Sequence, residues 1–228
     1  MDQLTVRETT VDIPSSDPDR EALDALESGI GILDGFTYSD VTVRALDLND
    51  LRLIDGEVRA VRTERGIWNQ LRIDAVELSG CDFPALTLTG CKLTRVRFTN
   101  CKLLGARLDE VTAEHVVFDH CKLDYATFEA LRAKGPVVFV NTALREARFT
   151  GCEMSTVVFD QCELSLTEFD RGSYRGVDLR DNDLTSVRGI TNLRGAKLRD
   201  TQTPQLAQAL AADLDLDLDD EPGGWGTP

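Results

Sequence analysis

Histidine is scarce in this 228-residue chain: there are two, alongside two tryptophans, two methionines and three tyrosines. His115 and His120 are the only imidazoles for general-base chemistry, and no Ser or Cys nucleophile motif or glycine-rich phosphate loop accompanies them. The six cysteines include no CxxC pair, so the spacing of a zinc site is missing. No run is long and apolar enough to cross a bilayer. The N-terminal MDQLTVRETTVDIPSSDPDRE lacks the basic-then-apolar pattern of a secretory signal, so the expected location is cytoplasmic. Positive charge is short as well, with 25 Lys and Arg against 40 Asp and Glu. A net of −15 argues against direct binding to nucleic acid or to an anionic membrane. Neither an enzyme nor a metal or cofactor site is expected.

The acid is concentrated at the two ends. Residues 1–34 carry nine acids against two arginines, and residues 213–228 carry six acids and no base. The middle, 35–212, holds 25 acids against 23 bases, so its net is only −2.

What the chain has in abundance is a beat of five. Cys91-Lys92-Leu93, Val96-Arg97-Phe98, Cys101-Lys102-Leu103 and Ala106-Arg107-Leu108 show a large apolar residue with a small or apolar one two places earlier. This matches neither a helix face nor an indefinite strand alternation, and so many short repeats imply a stacked, quasi-one-dimensional architecture. The large positions run in fives from Tyr38 to Ala133 and resume one residue late at Phe139. The slip coincides with the turn-like Ala133-Lys134-Gly135-Pro136. A four-residue step near Gly189-Ile190-Thr191-Asn192 marks a second irregularity.

The aromatic spacing sets the coil. Phe98, Phe118, Phe139 and Phe159 lie 20, 21 and 20 residues apart, and Phe128, Phe149 and Phe169 lie 21 and 20 apart. Like residues recurring every 20 mean four five-residue sides per coil, with Phe on two opposite sides and Leu103, Leu123, Leu144, Leu164 and Leu184 on a side between them. The expected fold is all-β, a four-sided parallel β-helix of about eight coils with strands ~4.8 Å apart. In this register Cys81, Cys91, Cys101, Cys121, Cys152 and Cys162 all take the small inward position, which predicts buried structural thiols rather than ligands or disulfides. Trp68 points inward, and both histidines point outward as solvent-exposed residues.

Open ends of such a rod need covers. Asp17-Pro18 is read as opening a short helix through Glu27. Thr203-Pro204 reads as the N-cap and first residue of a helix, QLAQALAADL, and the alternating acids and leucines of 213–219 suit a short strand. The organisation expected is an acidic N-terminal cap or extension over 1–34 and the β-helix over 35–203. A capping helix and strand over 204–219 and a disordered tail over 220–228 complete it.

Val177-Asp178-Leu179, Asn182-Asp183-Leu184 and Ala196-Lys197-Leu198 approach the unit A(D/N)LXX. Over about residues 36–203 the chain resembles the pentapeptide-repeat proteins, and the resemblance implies a right-handed quadrilateral β-helix. The quinolone-resistance type of that family binds DNA gyrase or topoisomerase IV with rods similar to duplex DNA in width and negative potential. These rods pair through their C-terminal ends. The resemblance therefore implies a DNA mimic in which Asp119, Asp160, Asp178 and Asp181 stand in for phosphates. It implies Leu206, Leu210 and Leu214 as the cap or homodimer contact. Those four acids belong to the most acidic side of the rod, the side of Phe98 and Phe118, while Arg52, Arg72, Lys92 and Arg95 belong to the most basic. Duplex DNA carries a charge about every 1.7 Å, far more than a body net of −2 supplies, so mimicry must rest on local patches or on the acidic ends. The alternative is a non-enzymatic scaffold that binds an unrelated cytoplasmic protein along one side.

Overall fold

The computed structural model describes residues 2–29 and 31–216. From Ile32 the chain winds so that each strand pairs in parallel with the strand 20 residues on. Ile32–Ser39, Arg52–Arg59, Arg72–Ser79, Lys92–Thr99 and Thr112–Asp119 form one such ladder. Thr42–Asn49 and Arg62–Asn69 start a second, which continues through shorter strands from Thr87–Thr89 onward. Seven steps lead from Tyr38 through Val58, Leu78, Phe98, Phe118, Phe139 and Phe159 to the level of Leu179. This column thus has eight levels joined by seven turns, against the about eight coils expected from the repeat.

Both irregularities sit where the sequence placed them. Ala113 faces Ala133, but three residues later Val116 faces Val137, so the extra residue lies between Ala133 and Val137. Past Gly189 the chain turns through a 3-10 segment, Ile190–Asn192, and Asp178 bridges Lys197 at a separation of 19. Gly189 has φ of 74°, and a Cβ there would lie 2.0 Å from the Phe169 carbonyl oxygen, so no other residue fits.

The core is a set of columns. Phe98, Phe118, Phe139 and Phe159 stack with centroids 4.8, 4.9 and 4.9 Å apart, and Phe128, Phe149 and Phe169 at 4.4 and 5.2 Å. The two stacks meet edge to face across the interior, as between Phe128 and Phe139 at 89°. In the first coils the columns compensate rather than repeat. Phe36 fills the space under Gly56, and Leu86 fills the space over Gly66. Volume is conserved between levels although the residue pattern is not. Trp68 joins this region, its indole N–H donating to the Leu46 carbonyl at 3.1 Å.

All six cysteines are buried and free. Each thiol donates to a carbonyl one coil back, such as Cys101 to Leu78 at 3.3 Å and Cys162 to Phe139 at 3.3 Å. Thr142 and Asn182 fill the same slot and donate to Phe118 and Phe159. Val61, Leu71 and Val111 fill the same slot in other coils, so it accepts apolar side chains as well as donors. Burial pushes the Cys152 thiol up to about 11 and the Cys162 thiol up to about 12, so neither is poised as a nucleophile.

The N-terminal region departs from expectation. No helix forms over 17–27; Glu21–Ala22 instead pairs with Phe36–Thr37, and Leu23 and Leu26 close the first coil. The open coil edge offers backbone partners that a helix would leave unpaired, as the Leu23 N–H bond to the Thr37 carbonyl at 2.8 Å shows. Before it, β1 (Asp2–Val6) and β2 (Thr9–Ile13) form an antiparallel hairpin. At the other end α1 (Thr203–Asp213) caps the rod, with Gln202 rather than Thr203 as its N-cap. The strand expected over 213–219 does not form in its described part. Asp213 ends α1 and residues 214–216 follow without strand pairing, because the helix C-terminal carbonyls take the Leu214 and Leu216 N–H groups. Residues 217–219, the tail and Trp225 lie outside the described residues.

A Cβ at Gly56 would lie 2.3 Å from the Phe36 ring. Gly56→Ala should therefore lower stability in urea by about 1–3 kcal/mol through overpacking. Gly80→Ala, at φ of 61° with nothing within 4 Å, should cost only about 1 kcal/mol.

Candidate functional site

Strict inward–outward alternation makes the outward residues into columns too. One column reads Glu57, Glu77, Arg97, Val117, Val138, Val158 and Asp178. Three valines at a solvent-facing position of a polar column need a cover, and the hairpin provides it. Val6, Val11 and Ile13 pack on Val117, Val138 and Val158, with Leu4 and Val140 at the margin. The hairpin follows from alternation in β1 and β2 around the two-residue loop Arg7-Glu8, closed by the Val6–Thr9 pair.

The loop carries the charge that fits the end of this column. Arg7 Nε donates to Asp160 Oδ1 at 2.9 Å and Nη1 to Asp178 Oδ1 at 2.7 Å. Nη2 donates to the Arg180 carbonyl and lies 3.8 Å from Asp181 Oδ2. Arg180 itself grips Asp178 at 2.6 Å and Glu8 at 3.3 Å. Only 5% of the Asp178 side chain and 13% of the Arg7 side chain are exposed, so these are charge-assisted bonds largely out of water. Burial acts to raise the Asp178 pKa, but the Arg180 hydrogen bonds and the Arg7 and Arg180 charges outweigh it and hold the carboxyl below its ordinary range. At the far end of the hairpin the Asp12 N–H donates to His115 Nδ1 at 2.9 Å.

Asp160, Asp178 and Asp181 thus converge on one guanidinium. Asp119 does not join them; it is held by Arg97 at 2.9 Å and His120 at 2.7 Å. The two histidines, expected in solvent, differ: His120 is exposed, whereas His115 is half-buried under the hairpin. Of the C-terminal leucines, Leu206 packs on the core, Leu210 is half-buried and Leu214 is 54% exposed. Arg7 and the valine column are the residues that sequence reasoning missed. Their signal was present in Val116-Val117, Val137-Val138 and Val157-Val158, where an outward position repeats as apolar in three successive coils.

Residues 77–112 match the family model described as Pentapeptide repeats, in 8 copies. The chain carries that repeat over these residues. No curated protein sequence matches it. Among solved structures the chain is similar to HetL, a pentapeptide repeat protein involved in heterocyst differentiation regulation from the cyanobacterium Nostoc. Identity is 15%, over 73% of this chain and 82% of that one, with a TM-score of 0.49. It is also similar to full-length QnrB1, a plasmid-mediated fluoroquinolone resistance protein, at 18% identity over 75% and 99% of the two chains and a TM-score of 0.44. Among the described residues no helix is long and apolar enough to cross a membrane.

A carboxyl with a lowered folded-state pKa contributes stability above its unfolded pKa and loses it as pH falls through the folded value. Contacts between the methyls of the hairpin and rod valines near Arg7, followed by NMR, should therefore weaken as pH falls below about 4, the ordinary carboxylate value, through the lowered titration of Asp178.

Proposed function

We propose that the protein is a non-enzymatic binding rod whose acidic flank, Asp160, Asp178 and Asp181 with Asp119 further along, receives a basic surface of a protein partner. The observation that carries this reading is the convergence of three carboxylates on one arginine fork at a single edge of the rod. A site that holds Arg7 in this way is built to take guanidinium groups. The pentapeptide-repeat resemblance names the candidate partner, a type II topoisomerase. Its DNA-binding cations would meet carboxylates where they ordinarily meet phosphates, and the outcome would be altered quinolone sensitivity. In the same reading, Leu210 and Leu214 at the end of α1 are the contact for a homodimer, with Leu206 seated on the core. The protein acts in the cytoplasm, with no direct contact to nucleic acid.

A second reading has its own support on the basic side. Arg52, Arg72 and Lys92 stand in register on adjacent strands and line a groove of about 600 Å³ with Asp50 and Asp74, so three bases face two acids there. Like charges stacked in register repel one another, and an acidic segment of an unrelated partner would relieve that repulsion. This is the scaffold reading.

Purified protein at micromolar concentration should inhibit supercoiling by gyrase, or protect gyrase from a quinolone. Asp181→Lys should raise the concentration needed ~10-fold, the equivalent of about 1.4 kcal/mol. No effect on gyrase or topoisomerase IV would remove the topoisomerase assignment. Capture of an acidic partner that Arg72→Glu abolishes would then favour the scaffold.

A further inference from the structure

The hairpin stands apart from the fold it covers. β1 and β2 form a two-stranded sheet of their own, and among the described residues no backbone pairing ties them to the rod. They are joined to the first coil through residues 14–20, where Arg20 anchors the chain to Asp55 at 2.8 Å and to the Ser15 carbonyl. Docking therefore rests on contacts in which a side chain takes part on at least one side: the valine cluster, the Arg7 fork, the Glu8–Arg180 pair and the hydrogen bond from the Asp12 N–H to His115. Arg7 makes these bonds from the hairpin turn, with φ of 55°.

The surface underneath has features that the repeat does not require. The same outward column carries Glu57, Glu77 and Arg97 in the earlier coils, and the core beneath those residues packs as well as it does beneath Val117, Val138 and Val158. An apolar strip ending in three carboxylates is complementary to one kind of ligand: an extended segment with β-branched side chains followed by an arginine. Val6-Arg7, with Val11 alongside, has this chemistry.

We propose that the column Val117, Val138, Val158 and Asp178, with Asp160 and Asp181, is a docking surface for a partner segment that presents an arginine beside β-branched residues. The hairpin β1–β2 is its built-in occupant and yields when the partner binds. The proposal rests on the acidic flank being the binding face. A short tether gives the hairpin an effective concentration on the order of millimolar, so an external segment competes at a disadvantage until the hairpin is weakened. The free flank is then a minor state whose population limits the apparent affinity for the partner.

The test uses the full chain and a labelled synthetic peptide of residues 1–16. Wild-type chain should bind the peptide weakly, and the Arg7→Ala chain at least ~10-fold more tightly, because its own hairpin competes less well. A Val11→Ala chain, weakened in the apolar half instead, should shift in the same direction, which covers the case of an Arg7→Ala chain that does not fold. A peptide carrying Arg7→Ala should bind none of these chains measurably. Equal binding of wild-type peptide to wild-type and both variant chains would overturn the proposal, as would equal binding of the two peptides. The gyrase assay run on the same proteins separates the two levels. If peptide capture rises in Arg7→Ala while gyrase is unaffected by any chain, the topoisomerase assignment fails and the docking surface stands. If no chain captures the peptide, the docking surface fails whatever gyrase does.

Discussion

Parallel backbone pairing at a fixed interval of 20 residues governs everything else in this molecule. Once Phe98 N–H and C=O groups are committed to the strands of Leu78 and Phe118, every side chain stands directly over its counterpart one coil away. Inward positions become stacks, and a single inserted residue must be expelled at a corner or it would turn every later side chain to the wrong face. The chain expels it between Ala133 and Val137 and recovers the Phe118–Phe139 stack at 4.9 Å within six residues. Corners take the strain, with non-glycine residues such as Ala75, Arg95 and His115 at φ of 54°, 51° and 53°. A sheet that continues through seven turns offsets those local costs.

The same constraint determines what was legible. From Val76 onward like residues stack on like, so the Phe spacings reveal the coil and the inward cysteines directly. Earlier, Gly56 above Phe36 and Gly66 below Leu86 satisfy the same volume rule by pairing small with large. A search for repetition reads that region as weak although the coil is regular. The hairpin was illegible for a different reason: its partners are up to 173 residues away, as in the contact of Arg7 with Arg180. Its short strands gave no helical or pentapeptide signal, and the proline and acids of 17–27 suggested a helix start that the open coil edge overrides.

Charge also reads differently once the columns are known. Much of the acid on the Phe98 side is already paired within the rod, Asp40 with Arg59 and Asp119 with Arg97, and an exposed pair such as Asp40–Arg59 contributes little to stability. The exception is the cluster under Arg7, where burial, a guanidinium fork and an apolar strip coincide. The binding reading therefore concerns one edge of the rod rather than its overall potential, and it gives the otherwise unexplained valines a role.

The central claim is that the hairpin is a docked but separable occupant of that edge. Residue-resolved amide hydrogen exchange on the intact chain at neutral pH tests it directly. The account predicts that amides of β1 and β2 are protected yet exchange at least ~100-fold faster than those flanking Phe118 and Phe139, through a local opening that leaves the coil intact. Hairpin amides that exchange only with the core, by global unfolding, would contradict it.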